Sequence, residues 1–127
     1  EWIGPSGAKR PFMVRPVAGG PMALAGLWEH WLGADGSEIE TMAILTVAAN
    51  PTVGRIHDRM PVMLHTPESR AAWLDERTPI ASIRSLLGPA PDALVTPRRV
   101  SRAVSNARND GPSLIDEIPD ERAGLGL

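Results

Sequence analysis

Three groups of residues in this sequence have types and spacings that could do chemistry. The first is the run Ile56-His57-Asp58-Arg59-Met60-Pro61. If residues 56–64 form a strand, alternation puts His57, Arg59, Pro61 and Met63 on one face and Ile56, Met60, Val62 and Leu64 on the other. An imidazole beside a guanidinium suits an anionic ligand. The Arg presents a fork of N–H donors to a phosphate, and the His moves protons near neutral pH. Asp58 falls among the apolar set, where it is expected to be structural and to need backbone N–H partners. Periodicity alone also fits two solvated polar residues on an exposed face.

The second group is residues 98–108, which hold Arg98, Arg99, Arg102 and Arg108 and no acid, in a chain of formal net charge −2. With Ser101, Ser105 and Asn106 as further donors, the segment fits phosphate contacts, which set affinity rather than sequence preference. An ordinary solvated face fits equally well. The third group is Glu1-Trp2, a carboxyl beside an aromatic ring, usable as a general acid or base; an exposed terminal residue is the simpler reading. Trp28, Trp31 and Trp73 could stack on bases, but their neighbours are apolar and core packing is expected for all three. No His, Asp or Glu spacing resembles a metal site and no Gly-rich loop resembles a phosphate cradle, so no cofactor is expected.

The elements that must position these groups are short. The 13 Pro and 12 Gly argue for strands joined by turns rather than long helices. Residues 4–10 read as a turn and 11–17 as a strand. After the Gly19-Gly20-Pro21 turn, residues 22–31 form an apolar run read as a buried strand. Ala34-Asp35-Gly36-Ser37 is a hairpin turn leading into a strand over 38–49, with Ile39, Ala43, Leu45 and Val47 on one face. Asn50-Pro51 ends it, and residues 56–64 follow as the next strand. Thr66-Pro67 starts a helix, with Thr66 as N-cap and Pro67 at the first position. That helix covers 67–75, with Ala71, Trp73 and Leu74 available for its buried side. A second helix is predicted over 80–87, stopped by Gly88-Pro89. A Pro-rich loop over 89–97 and a last strand over 98–104 follow, and the acidic stretch 116–127 reads as a flexible tail.

Strands, then helices, then a strand indicate an α+β domain on a mainly antiparallel sheet with two short helices. The 127 residues suffice for one small domain. The absence of Cys excludes a disulfide framework, a thiolate nucleophile and a thiolate metal site within this sequence. No apolar run is long enough to cross a bilayer and no signal peptide is evident. A soluble cytoplasmic protein without a membrane partner is expected. The opening Glu1-Trp2-Ile3-Gly4, already inside a structural element, raises the expectation that the sequence is a fragment.

Taken together, five segments resemble one family. They are Glu1-Trp2, Gly26-Leu27-Trp28-Glu29, the Leu-Thr strand over 41–49, His57-Asp58-Arg59-Met60-Pro61, and the run from Val100 to Asn106. In this order and spacing they resemble the SOS response-associated peptidase (SRAP) family, over residues 1–115, as the C-terminal portion of a single domain. The resemblance implies a β-rich, barrel-like sheet that would here be incomplete at its N-terminus. It implies a monomer, nucleoid-associated in a bacterial cytoplasm, that acts on abasic sites in single-stranded DNA. In the family a mature N-terminal Cys, exposed by removal of the initiator Met, reacts through its amine and thiol with the ring-opened abasic sugar to give a thiazolidine crosslink. Glu1 matches the family Glu that assists as acid or base, and His57 matches a catalytic His. Thr46 and Arg59 match residues along the DNA backbone, and Arg102 is a further expected DNA contact. The family's nucleophile and a catalytic Asn have no counterpart in this sequence. As written, therefore, the chain is expected not to form the crosslink by itself. A non-catalytic single-stranded nucleic-acid binding module is the alternative. A general peptidase lacks support, since no Ser-His-Asp arrangement is present.

Overall fold

The structure, a computed structural model, describes residues 1–119. Its strands are β1 (Trp2–Ile3), β2 (Arg10–Pro16), β3 (Gly26–Leu32), β4 (Glu38–Ile44), β5 (Thr46–Ala48), β6 (Arg59–Pro61) and β7 (Val95–Arg99). Two helices, α1 (Pro67–Leu74) and α2 (Ile80–Ser85), lie between β6 and β7. All pairings are antiparallel, in three sheets: β1-β2-β7, β3-β4 and β5-β6. The α+β, mainly antiparallel reading with two short helices holds, and the described sheets stay open rather than closing into a barrel. No helix among the described residues is long and apolar enough to cross a membrane.

The β1–β2 hairpin turns through Gly4, whose φ of 118° is closed to most side chains; an added Cβ would sit 3.2 Å from the Ala8 carbonyl oxygen. The hairpin of β3 and β4 closes where expected, with the Gly33 N–H donating to Ser37 O at 2.7 Å and Gly36 at φ 82°. The strand predicted over 38–49 is one extended run that changes partner at Leu45. Up to Ile44 it pairs with β3. Leu45 then donates to Ala25 O and accepts from Val62 N–H, both at 2.9 Å, and from Thr46 the chain pairs with β6. Ala25 in turn donates to Val62 O at 2.9 Å. These three residues join the two ribbons.

The core lies around this junction. Ala25, Val62 and Leu64 are buried against Leu45, Val47, Trp73 and Leu86. Val53, Met60, Ala90 and Val95 form a neighbouring cluster against Val14, Val47 and Ile56. Val47 touches both, and burying each such side chain contributes on the order of 1.5–3 kcal/mol. Helix α1 begins as predicted: the Thr66 hydroxyl accepts from Ser69 N–H while Ser69 Oγ accepts from Thr66 N–H, a capping box closed by Ser in place of Glu. Its half-buried side is Ser69, Ala72 and Trp73, at helical spacing, and Trp73 Nε1 donates to Gly26 O at 3.1 Å. Ala71 and Leu74 face outward, Leu74 being 79% exposed.

Several expectations are corrected. Residues 22–31 are not one buried strand. Residues 22–25 cross the core, and β3 emerges from it with Trp28 73% and Trp31 52% exposed. The ribbon carries large apolar residues on both faces and, among the described residues, has no third strand to cover them. Of the three tryptophans expected in the core, Trp28, Trp31 and Trp73, only Trp73 packs against it. The strand expected over 56–64 shrinks to β6, because a 3₁₀ turn over Val53–Arg55 delays the return of the chain. The last strand runs from Val95 to Arg99 rather than 98–104. Pro97 is tolerated because β7 is an edge strand, and Ser101 ends the run by accepting from Ala103 N–H and opening a 3₁₀ turn over Arg102–Ser105. Beyond residue 115, Glu117 bridges to Val100 and Ile118 N–H donates to Arg99 O at 3.0 Å. The remainder of the expected tail, 120–127, lies outside the described residues.

Candidate functional site

The site begins with a buried Asn. Asn50 Oδ1 accepts from Val53 N–H at 2.9 Å, and Nδ2 donates to Ala90 O at 2.8 Å. Its backbone O accepts from Gly54 N–H at 2.8 Å. The side chain thereby fixes the 3₁₀ turn against a loop forty residues away in sequence. That turn delivers His57, whose N–H donates to Val53 O at 3.0 Å. The sequence marked Asn50 only as a strand end. Its burial depends on Ala90, which no local pattern reveals.

His57 stands in the turn just before β6, not on a strand. Its Nδ1 lies 3.0 Å from Arg59 N and Arg59 O and 3.3 Å from Asp58 Oδ1. With Nδ1 unprotonated, Arg59 N–H donates to it and the ring proton sits on Nε2. Nε2 points toward Glu1 Oε2, 3.9 Å away. With Nδ1 protonated, Arg59 O and Asp58 Oδ1 are acceptors within reach. The ring thus has a partner in either protonation state, which is what a group that takes and returns a proton requires. Asp58 is not a core residue: its side chain is 91% exposed, and its backbone O accepts from Ala49 N–H where β5 and β6 begin to pair.

Glu1 extends the β1 pairing by one residue, its backbone nitrogen donating to Phe12 O at 3.0 Å and its O accepting from Phe12 N–H at 2.7 Å. This holds the Glu1 backbone while leaving its side chain 44% exposed beside His57 at 43%. Arg59 pairs with Ala48, and Thr46 pairs with Pro61, so all four share one face of the β5–β6 ribbon. Arg59 reaches diagonally along that face. Its Nε and Nη2 donate to Thr46 Oγ1 at 3.0 and 2.9 Å, and Nη2 also donates to Thr46 O. Glu1 and Arg59 both line a cavity of about 300 Å³, floored by Phe12, Val14, Met60 and Val95.

The structure therefore brings together Glu1, His57, Arg59 and Thr46, from segments 58 residues apart at the extreme. Arg102 is placed elsewhere. Its Nη2 donates to Gly7 O at 3.2 Å, and its 3₁₀ turn accepts Trp2 Nε1 at Ser105 Oγ, 3.0 Å, on the side of β1 opposite to Glu1. Arg98 Nη1 donates to both carboxylate oxygens of Glu117, at 2.8 and 2.7 Å. Among the described residues no group of three or more His, Asp or Glu side chains is placed to hold a metal ion.

The family model for SOS response associated peptidase (SRAP) matches residues 1–107. The chain is 34% identical over 109 residues to the abasic site processing protein YoqW of Bacillus subtilis, covering 85% of this chain and 48% of that protein. It is 32% identical over 120 residues to the abasic site processing protein YedK of Escherichia coli, covering 93% and 53%. Among solved structures, a protein from Bacteroides thetaiotaomicron superposes with a TM-score of 0.81 at 27% identity, covering 94% of this chain and 53% of that one. One from Bordetella bronchiseptica superposes with a TM-score of 0.64 at 28% identity, covering 76% and 47%. The chain belongs to the SOS response associated peptidase family. It spans about half the length of the relatives it matches.

Proposed function

We propose that this chain carries the acid–base and backbone-binding part of an abasic-site processing protein that acts on single-stranded DNA. The observation that carries the reading is the Glu1–His57 pair, 3.9 Å apart beside an arginine already anchored by Thr46. Both of the curated relatives named above bear the name abasic site processing protein. An abasic sugar closed as a hemiacetal opens when the C1 hydroxyl loses its proton and the ring C–O bond breaks toward the ring oxygen, which gains one. A carboxyl on the cavity wall and an imidazole 3.9 Å from it can remove the first proton and supply the second. Arg59 and Thr46 bear on the adjoining phosphate, and Arg102 on the strand further along. The lesion lacks a base, so contacts to the backbone suffice to hold it.

The covalent step in this reading belongs to a Cys that these 127 residues do not contain. Its amine condenses with the C1 aldehyde and releases water. Its thiol then adds to the resulting imine carbon, while the nitrogen takes the proton, closing a thiazolidine. The acting protein is a monomer of the bacterial cytoplasm, working at the nucleoid.

The test is a protein in which this sequence follows a segment bearing that Cys, mixed with an abasic single-stranded oligonucleotide. An adduct resistant to SDS is expected, and His57→Ala should slow its formation. A folded protein that forms none overturns the crosslinking role. Because the chain has no Cys, binding without crosslinking is the second reading. It predicts only reversible, salt-sensitive binding that weakens on Arg59→Ala.

A further inference from the structure

The register of the β1-β2-β7 sheet sets two more cations on the face that carries Glu1. Glu1 and Phe12 exchange both backbone hydrogen bonds, and Phe12 is the direct partner of Arg99 on β7. Directly opposed residues of antiparallel strands share a face. Glu1, Phe12 and Arg99 therefore form one row across three strands, with Arg99 about 10 Å from Glu1 at roughly 4.8 Å per strand. Alternation along β2 puts Arg10 on this face as well, two positions before Phe12 and opposite Ile3. Phe12, Val14 and Val95 of the same face wall the cavity, which Arg59 of β6 also lines. Arg15 and Arg98 fall on the other face, and Arg98 is occupied by Glu117.

We propose that Arg10 and Arg99 hold the phosphate on one side of the abasic sugar while Arg59 holds the phosphate on the other, so that the strand crosses the Glu1–His57 pair between two cationic grips. The inference rests on the function proposed above. A sugar without a base is located only by its two flanking phosphates. With one phosphate held, the sugar swings about that contact. With both held, its C1 is confined over the acid–base pair, and confinement of this kind is a large part of what lowers a barrier. The chain is net negative, so attraction of DNA depends on local sets of cations such as this one. Arg10 and Arg99 are both half-buried.

The experiment uses the 127-residue chain and fluorescein-labelled single-stranded oligonucleotides. Each contains one tetrahydrofuran abasic analogue, with or without a single neutral methylphosphonate immediately 5′ or 3′ of it. Arg10→Gln and Arg99→Gln are each expected to weaken binding about three- to tenfold, and to flatten the slope of log K against log salt by about 0.7 for the one phosphate lost. Arg99→Lys should keep the wild-type slope, and Arg15→Gln, on the opposite face, should change nothing. One methylphosphonate position should weaken the wild type but not Arg10→Gln or Arg99→Gln. The other should weaken the wild type but not Arg59→Gln. If Arg59→Gln weakens binding while Arg10→Gln and Arg99→Gln bind like the wild type, the second grip is overturned and the proposed function stands. The second grip is overturned in the same way if all three variants lose sensitivity to one and the same phosphate. If the wild type binds no single-stranded DNA, the proposed function falls and this inference with it. Should Arg99→Gln unfold, as judged by circular dichroism, Arg10→Gln and Arg99→Lys decide the question.

Discussion

Arg59 holds Thr46 by both its hydroxyl and its carbonyl oxygen, using Nε and Nη2 of one guanidinium edge. An exposed arginine normally surrenders about 1.5–2 kcal/mol of rotamer freedom when it binds a ligand. Here most of that ordering is completed on folding, and under the proposed function the Nη1 side is the one that meets a phosphate. Thr46→Val keeps the shape but removes the hydroxyl. Binding of single-stranded DNA is expected to weaken about three- to tenfold, a loss of roughly 0.7–1.4 kcal/mol. Thermal stability should stay within about 0.5 kcal/mol, because Thr46 is exposed. Fluorescence anisotropy and a melting curve check the two halves. Unchanged affinity in a folded variant would show that Thr46 does not prepare Arg59.

Glu1 and His57 should separate binding from chemistry. In a protein that includes the Cys-bearing segment, Glu1→Gln and His57→Ala are each expected to slow adduct formation by about 10²–10⁴-fold, the usual weight of a positioned acid or base. Affinity for the single strand should change little, since the proposed phosphate grips are elsewhere. Single-turnover gel assays measure the rate, and anisotropy measures the binding. Loss of affinity with an unchanged rate would assign these residues to positioning instead.

Asn50 is the buried polar group on which the site's backbone depends. Asn50→Ala leaves Val53 N–H and Ala90 O without their partners. At about 1–3 kcal/mol for each of the two buried groups so orphaned, a destabilisation of roughly 2–6 kcal/mol is expected. Urea unfolding measures it. A loss under about 0.5 kcal/mol, the range of a neutral surface change, would mean that the turn before His57 holds without the side chain.

What the sequence makes legible is mostly short in range. The Thr66-Pro67 cap and the Asp35-Gly36 turn are decided within a few residues, and both appear where expected. The mainly antiparallel architecture follows from the order of the elements. The departures have long-range causes. Leu45 changes strand partners without leaving extended geometry, so periodicity cannot divide 38–49. Alternation places His57 on a strand face because nothing nearby shows that Asn50 reaches Ala90 and tightens the preceding turn. His57 still lies beside Arg59, but through its ring nitrogen and the Arg59 backbone rather than through alternation. Trp28 and Trp31 look like core because apolar neighbours on both ribbon faces mimic a buried strand. The grouping of Glu1, His57, Thr46 and Arg59 comes from family resemblance. Periodicity links only His57 with Arg59.

The turn between β3 and β4 provides a pH-dependent prediction. Ser37 Oγ and Ser37 N–H both donate to Asp35 Oδ1, at 2.6 and 3.0 Å. These bonds favour the ionised carboxylate, the hydroxyl foremost, and hold Asp35 below the usual carboxylate range. A carboxyl whose pKa is depressed on folding contributes stability above its unfolded value and loses that contribution as pH falls through its folded value. The hairpin turn should therefore loosen only in acid, below about pH 4, and keep its geometry through neutral pH. A ¹³C NMR titration of the Asp35 carboxyl is expected to show a midpoint under that of a model peptide. Ser37→Ala, which keeps the backbone donor and removes the hydroxyl, should move the midpoint part of the way back up. Asp35→Asn should abolish the acid transition at the Ser37 amide while leaving the other carboxyls unchanged. A normal midpoint for Asp35, or one indifferent to Ser37→Ala, would mean that the hydroxyl does not hold the turn.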